Sequence, residues 1–158
     1  MNTLDVVASG EREIVITREF AAPRELVFDA LTKPELLMRW HGARGWNLVE
    51  CEIDLREGGS WRHVSHGPDG QTMAMSGVYR VIVVPERLVT TQLHECEDTE
   101  GKEHLVTTTL SEKDGRTLLR SVTLYPTREI RDAVARSEMR RGTAESYVML
   151  DELLANRG

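Results

Sequence analysis

Cysteine is scarce in this chain. Cys51 and Cys96 are the only two in 158 residues, they stand far apart, and neither belongs to a CxxC pair. Such usage argues against a disulfide framework and for reduced thiols in a cytosolic protein. Long hydrophobic runs are missing as well. Nowhere do roughly 18 apolar residues stand together, and the start MNTLDVVASGERE has neither a basic lead nor an apolar stretch of signal length. The expectation is a soluble, cytoplasmic protein with no membrane partner. Positive charge is outnumbered, 20 Lys+Arg against 26 Asp+Glu for a net charge of -6, and no dense basic run could track phosphates. Nucleic acid is therefore not an expected partner. Aromatics are few: three Trp, three Tyr and two Phe. Internal repeats and low-complexity segments are absent.

What is present reads as one domain over residues 11–156, preceded by a flexible lead-in at 1–10. The length is enough to bury about 70% of the surface that the unfolded chain exposes. Residues 13–20 alternate with Ile14, Ile16 and Phe20 on one side, the period of a half-buried strand. Pro23 and Pro34 each suit the first position of a helix, where the missing N–H has no intrahelical partner. Two short helices follow from them, one carrying Val27, Ala30 and Leu31, the other Leu36, Leu37 and Trp40. Six strands are predicted next, at 46–55, 59–66, 73–84, 87–96, 103–111 and 116–125. The turns between them are Glu57-Gly58-Gly59, Pro68-Asp69-Gly70, Pro85-Glu86, Glu100-Gly101 and Asp114-Gly115. These connections are too short for helical crossovers, so neighbouring strands are antiparallel. Val49, Cys51, Ile53 and Leu55, and then Val78, Ile82 and Val84, mark apolar sides. The facing of Trp61, His63, Tyr79 and Tyr125 stays open.

The last thirty residues organise the rest. Met139, Gly142, Ser146, Tyr147, Leu150, Leu153 and Leu154 recur at three- and four-residue spacings and share one helix face. Ile130 and Val134 point the other way, which places a break near Arg136 or Ser137. A helix over 138–156 would be on the order of 28 Å long. Its buried stripe thins at Gly142, Thr143, Ser146 and Tyr147, where a packed helix would carry Leu or Ile. Either another element approaches closely there, or there is a hole. The fold class is α+β, a seven-stranded antiparallel sheet with one face covered by a long C-terminal helix.

Several segments carry a family resemblance: Ala22-Pro23, Leu36-Leu37-Met38-Arg39-Trp40, Cys51 through Gly59, Gly67-Pro68-Asp69-Gly70, Gly77-Val78-Tyr79 and Pro85-Glu86-Arg87-Leu88-Val89. Together they resemble the C-terminal domain of the activator of the heat-shock-protein-90 ATPase. That subgroup belongs to the START-like, birch-pollen-allergen-like superfamily, and the likeness covers residues 11–155. The resemblance implies a helix-grip fold whose curved sheet wraps the long helix around a cavity. It implies no catalytic signature shared by the superfamily. The eukaryotic activator also has a separate N-terminal domain that contacts the chaperone, and no segment here would supply it.

Candidate site residues follow from these readings. Trp40 and Trp46 bracket a glycine-containing loop and, with Trp61, are either core anchors or the mouth of a cavity. Arg120 shares a face with Leu118, Val122 and Leu124; buried, it would need a carboxylate or an anionic ligand, and with the opposite facing it lies in solvent. The candidate cavity-lining set is Trp40, Trp46, Trp61, Tyr79, Arg120, Met139, Gly142, Ser146, Tyr147 and Leu150. No catalytic residue is singled out. No metal is expected, because His63 and His66 are three apart on a strand and point to opposite faces, and no Cys or carboxylate completes a tetrahedral set. No cofactor is expected. Gly58-Gly59 leads into a strand and is a turn, not a phosphate cradle.

Three readings of function stand side by side. One is a cavity protein, monomer or homodimer, for a small hydrophobic or aromatic molecule. Another is a co-chaperone-like module acting on a heat-shock chaperone. The third is a cyclase- or hydrolase-type enzyme, which would need a titratable pair inside the cavity drawn from His63, His94 or Arg120.

Overall fold

A computed structural model describes residues 3–42, 44–95 and 102–157. Strands β1 (Asp5–Ser9) and β2 (Glu13–Phe20) lead into helices α1 (Arg24–Thr32) and α2 (Pro34–Trp40). Six strands follow: β3 (Asn47–Ile53), β4 (Ser60–His66), β5 (Thr72–Val83), β6 (Arg87–His94), β7 (His104–Lys113) and β8 (Arg116–Leu124). Helices α3 (Arg128–Ala135) and α4 (Met139–Arg157) end the chain. The strands form an antiparallel sheet in the order β1-β2-β8-β7-β6-β5-β4-β3. The predicted turn at Glu100-Gly101, the strand end at Cys96, Ala43 of the loop and the first two residues of the lead-in lie outside the described residues.

Local chemistry sets the helix ends. The ring of Pro23 holds φ at -64° just before α1, and Pro34 opens α2 at a position that needs no N–H donor. Thr127 caps α3 by accepting a hydrogen bond from the Ile130 N–H at 3.1 Å. The α3–α4 break falls at residues 136–138, where the Ser137 hydroxyl donates to the Val134 carbonyl and accepts from the Met139 N–H.

Two expectations are corrected. The lead-in is not wholly unstructured: Asp5–Ser9 pairs with β2 as an eighth strand. Its weak alternation hides it in the sequence, since Val7 and Ala8 are both exposed and backbone pairing holds the strand. Buried Arg131 of α3 completes the anchor by donating to the carbonyls of Ser9, Gly10 and Glu13. The apolar sides of β3 and β5 also change face part-way. Bulges between Leu48 and Glu50 and between Tyr79 and Val81 shift the two-residue period, so Val49 and Val78 are exposed, while Leu55 and Val84 are exposed beyond the strand ends. Trp61, Tyr79 and Ile82 join the core instead.

The core lies at one end of the sheet. Phe20 of β2, Leu110 of β7 and Leu119 of β8 pack against Val27, Phe28, Leu37 and Trp40 of α1 and α2, and against Leu150, Leu153 and Leu154 of α4. Phe20, Val27 and Leu150 are fully buried. At about 25 cal/mol per Å² of apolar surface, each such side chain contributes roughly 1.5–3 kcal/mol.

Candidate functional site

Strand register fixes what the inner face presents beyond that core. Leu119 opposes Leu110, the next inward pair is Ser121 and Thr108, and then Thr123 and Val106. His104 of β7 opposes Gln92 of β6, and Met75 of β5 opposes both His94 of β6 and His63 of β4. Moving away from the packed end, the rows therefore change from leucine to small hydroxyls and then to imidazole. The covering helix changes in step. Leu150 gives way to Tyr147, Ser146, Thr143, Gly142 and Met139, and a helix with so little bulk does not fill the space over such rows.

A cavity of about 410 Å³ occupies that space. One wall is the first half of α4 together with Val134 of α3; Trp40, His41 and Gly42 close a second side. The sheet contributes Ile16, Val106, Ser121 and Thr123, then Met73, Met75 and Gln92, and finally His94, His104 and Tyr125. The loop after α2 is tied to the helix, since Gly42 N–H donates to Ser146 Oγ at 3.0 Å and Arg44 N–H to Glu145 Oε1 at 3.1 Å.

Beneath the cavity lies a buried ion pair that the sequence did not disclose. Arg18 points inward from β2 and binds Asp151 of α4 through two parallel bonds, Nη1–Oδ1 at 2.8 Å and Nη2–Oδ2 at 2.5 Å. Its guanidinium lies 4.7 Å from the centre of the Phe20 ring, and Tyr147 meets the same ring edge-on at 5.2 Å. The pair fastens α4 to the sheet where packed core becomes open space.

Imidazoles dominate the electrostatics. Burial lowers His41 to about 4. Burial and then the neighbouring His41 lower His63 to about 3. Burial and then His94 lower His104 to about 4, and partial burial lowers His94 itself. All four are uncharged at neutral pH. Burial pushes the Tyr147 hydroxyl up to about 12 and raises that of Tyr125. Rings run in two chains: His41 to His63 at 5.2 Å and on to Trp61 at 4.7 Å, and His94 to His104 at 5.9 Å and on to Tyr125 at 4.5 Å. The buried His41 Nδ1, His63 Nδ1 and Trp61 Nε1 have no hydrogen-bond partner. Cys51 is a free thiol that burial raises to about 11, out of the reactive range.

Of the ten candidate residues, Trp40, Met139, Gly142, Ser146 and Tyr147 come together around the cavity. Leu150, Trp61 and Tyr79 face inward but belong to the packed core. Trp46 lies apart, flat over Gly67, where a Cβ would come within 2.6 Å of its ring. Arg120 is on the outer face, because the inward set on β8 is Leu119, Ser121 and Thr123, and Leu118 is accordingly 46% exposed. The buried arginine belongs to β2. His94, His104 and Tyr125 were not chosen from the sequence as a cluster, since the signal that joins them is strand register. His63 and His94 both face inward and Arg120 does not. Among the described residues, no group of three or more His, Cys, Asp or Glu is placed to hold a metal ion, and no helix is long and apolar enough to cross a membrane.

An antiparallel sheet that curves around a long C-terminal helix, with two short helices after its first strands, is the helix-grip architecture of START-like proteins. Within that class the chain belongs to the family described as activator of Hsp90 ATPase homolog 1-like protein, whose model matches residues 21–155. It is similar to a crystal structure of a Rhodobacter sphaeroides protein at 38% identity and TM-score 0.90, covering 98% of this chain and 99% of that one. A Nitrosomonas europaea protein matches at 26% identity and TM-score 0.84, over 95% and 98% of the two chains. A Silicibacter pomeroyi protein named AHSA1 shares the fold at 23% identity and TM-score 0.73, over 92% and 99%. None of the curated proteins compared with the chain matches it.

Proposed function

We propose that the chain is a cytoplasmic cavity protein that binds one small, largely apolar molecule between the sheet and the first half of α4. The observation that carries this is the cavity of about 410 Å³, which lies within the range of small-molecule sites and has a wall of Trp40, Met73, Met75, Met139 and Tyr147. Its polar groups, hydroxyls, imidazoles and one amide, are uncharged at neutral pH and gather toward one end, which suits orientation of an apolar body more than capture of a highly charged one. Native mass spectrometry and thermal shift against lipids and aromatic metabolites test it. At least one class should bind one-to-one and raise the melting temperature, by the equivalent of about 2.7 kcal/mol at a hundredfold excess over Kd. Failure of every class to bind would overturn the reading.

The family description favours a second reading, a co-chaperone-like module that stimulates a heat-shock-protein-90 ATPase. Its test is ATP turnover by a bacterial chaperone of that class with and without the protein. Unchanged turnover at saturating protein removes it.

A further inference from the structure

Among the described residues, the cavity lining contains no Asp, Glu, Lys or Arg. Its ionisable groups are His41, His94, His104, Tyr125 and Tyr147, and of these only a histidine can take on a positive charge. A cationic ligand would find no carboxylate among these lining residues. An anionic one would find two imidazoles that can supply it. His94 ends β6, His104 begins β7, and their ring centres are 5.9 Å apart with the planes tilted by 57°. Tyr125, just past β8, lies 4.5 Å from His104, and its hydroxyl adds a donor. Met75, opposite His94 on β5, and Met139 from α4 bring apolar surface to the same place.

Resting on the cavity reading above, we infer that His94, His104 and Tyr125 form the head-group subsite for a carboxylate carried on a flat apolar body. The body lies toward Trp40 and Tyr147, and the carboxylate sits between the two imidazoles. Binding then takes up a proton from solvent onto the imidazole pair. In the free protein both rings are neutral, and the charge of either opposes that of the other. A carboxylate reverses this by stabilising one imidazolium through a charge-assisted hydrogen bond. The other groups facing the pair do not supply that charge: Gln92, Ser121 and Thr123 from the sheet are neutral, as are Val134 from α3 and Thr143 from α4. Glu103, Arg12 and Arg80 line a second cleft that shares His104 and Tyr125, and protonation of His94 would oppose that of His104. Since the complex holds more protons than the free protein, affinity rises as pH falls while the ligand stays ionised.

The experiment uses three probes with one naphthalene body: 2-naphthoate, 2-naphthylmethanol and 2-naphthylmethylamine. Binding of each is measured by calorimetry to the whole chain at about pH 6 and about pH 8, in two buffers of different ionisation enthalpy. At the lower pH the acid should bind about tenfold tighter than the alcohol, the worth of a hydrogen bond to a charged group, and the amine weakest. Acid binding should consume protons and weaken severalfold at the higher pH; alcohol binding should do neither. His94→Gln and His104→Gln should each reduce the preference for the acid over the alcohol, with wild-type-like circular dichroism and melting showing that the variants are folded. Equal affinity for acid and alcohol, no proton uptake, or an acid preference that survives both substitutions would overturn the head-group assignment and leave the cavity reading standing. If none of the probes binds, the head-group assignment falls, while the cavity reading falls only if the lipids and other aromatic metabolites fail as well.

Discussion

The two halves of α4 do different jobs. From Leu150 onward the helix is a core element: Leu150, Leu153 and Leu154 are buried against Phe20, Leu119 and the short helices. From Met139 to Tyr147 the same helix is a wall, and Gly142, Thr143 and Ser146 hold the place that leucine takes further on. The sheet beneath repeats the contrast, with Leu110 and Leu119 under the packed half and Ser121, Thr123, His94 and His104 under the open one. Stability and vacancy are thus segregated along a single element. The Arg18–Asp151 pair marks the border.

That division makes the packed half the place where damage is greatest. Leu150→Ala removes a fully buried side chain and should cost about 2–5 kcal/mol in chemical denaturation, by lost transfer energy plus the cavity left behind. A cost below about 1 kcal/mol would mean that this half is no better packed than the other. At the border, Asp151→Asn leaves Arg18, only 4% exposed, without its counter-charge. Removing one partner of a buried pair costs about 3–5 kcal/mol, and the 27% exposure of Asp151 brings the expected loss to about 2–3 kcal/mol. Equal stability of variant and wild type would show that the pair does not fasten the helix.

The division was legible in part. Helical spacing revealed the stripe and its thinning at Gly142 to Tyr147, because periodicity and side-chain volume are local properties. The break near Ser137 was legible for the same reason. Arg120 and Arg18 show what was not: each sits in an alternating strand, and which alternate face is buried depends on the partners of β2 and β8. Leucines at 118 and 124 suggested one facing of β8, yet Leu119 opposite Leu110 sets the other. The imidazole cluster has the same origin, since His94 and His104 belong to different strands and meet Tyr125 only through pairing register. Asp5–Ser9 was unreadable because an exposed edge strand needs no hydrophobic pattern.

The buried imidazoles should make the fold sensitive to acid. His41, His63 and His104 have folded values of about 4, 3 and 4, below the unfolded value of 6.5. The unfolded chain therefore binds more protons between these limits. Stability is complete above about 6.5 and declines as pH falls toward the folded values, by up to about 2 kcal/mol per histidine at pH 5. Thermal melts across that window, on wild type and on His63→Gln, measure the decline. It should be shallower in the variant, and an identical slope would exclude His63 from the effect. A smaller change is expected from Ser146→Ala, which deletes the bond from Gly42 N–H and should cost about 1 kcal/mol.

The most direct test fills the open half without touching the packed one. Gly142 lines the cavity from within α4, and glycine inside a helix is about 1 kcal/mol less favourable than alanine. Gly142→Leu should therefore leave the melting temperature equal or higher while weakening 2-naphthylmethanol binding about tenfold, because added bulk occupies the ligand's space. Calorimetry of that probe on the folded variant decides it. An unchanged Kd would place the ligand elsewhere and contradict the division of α4 into core and wall.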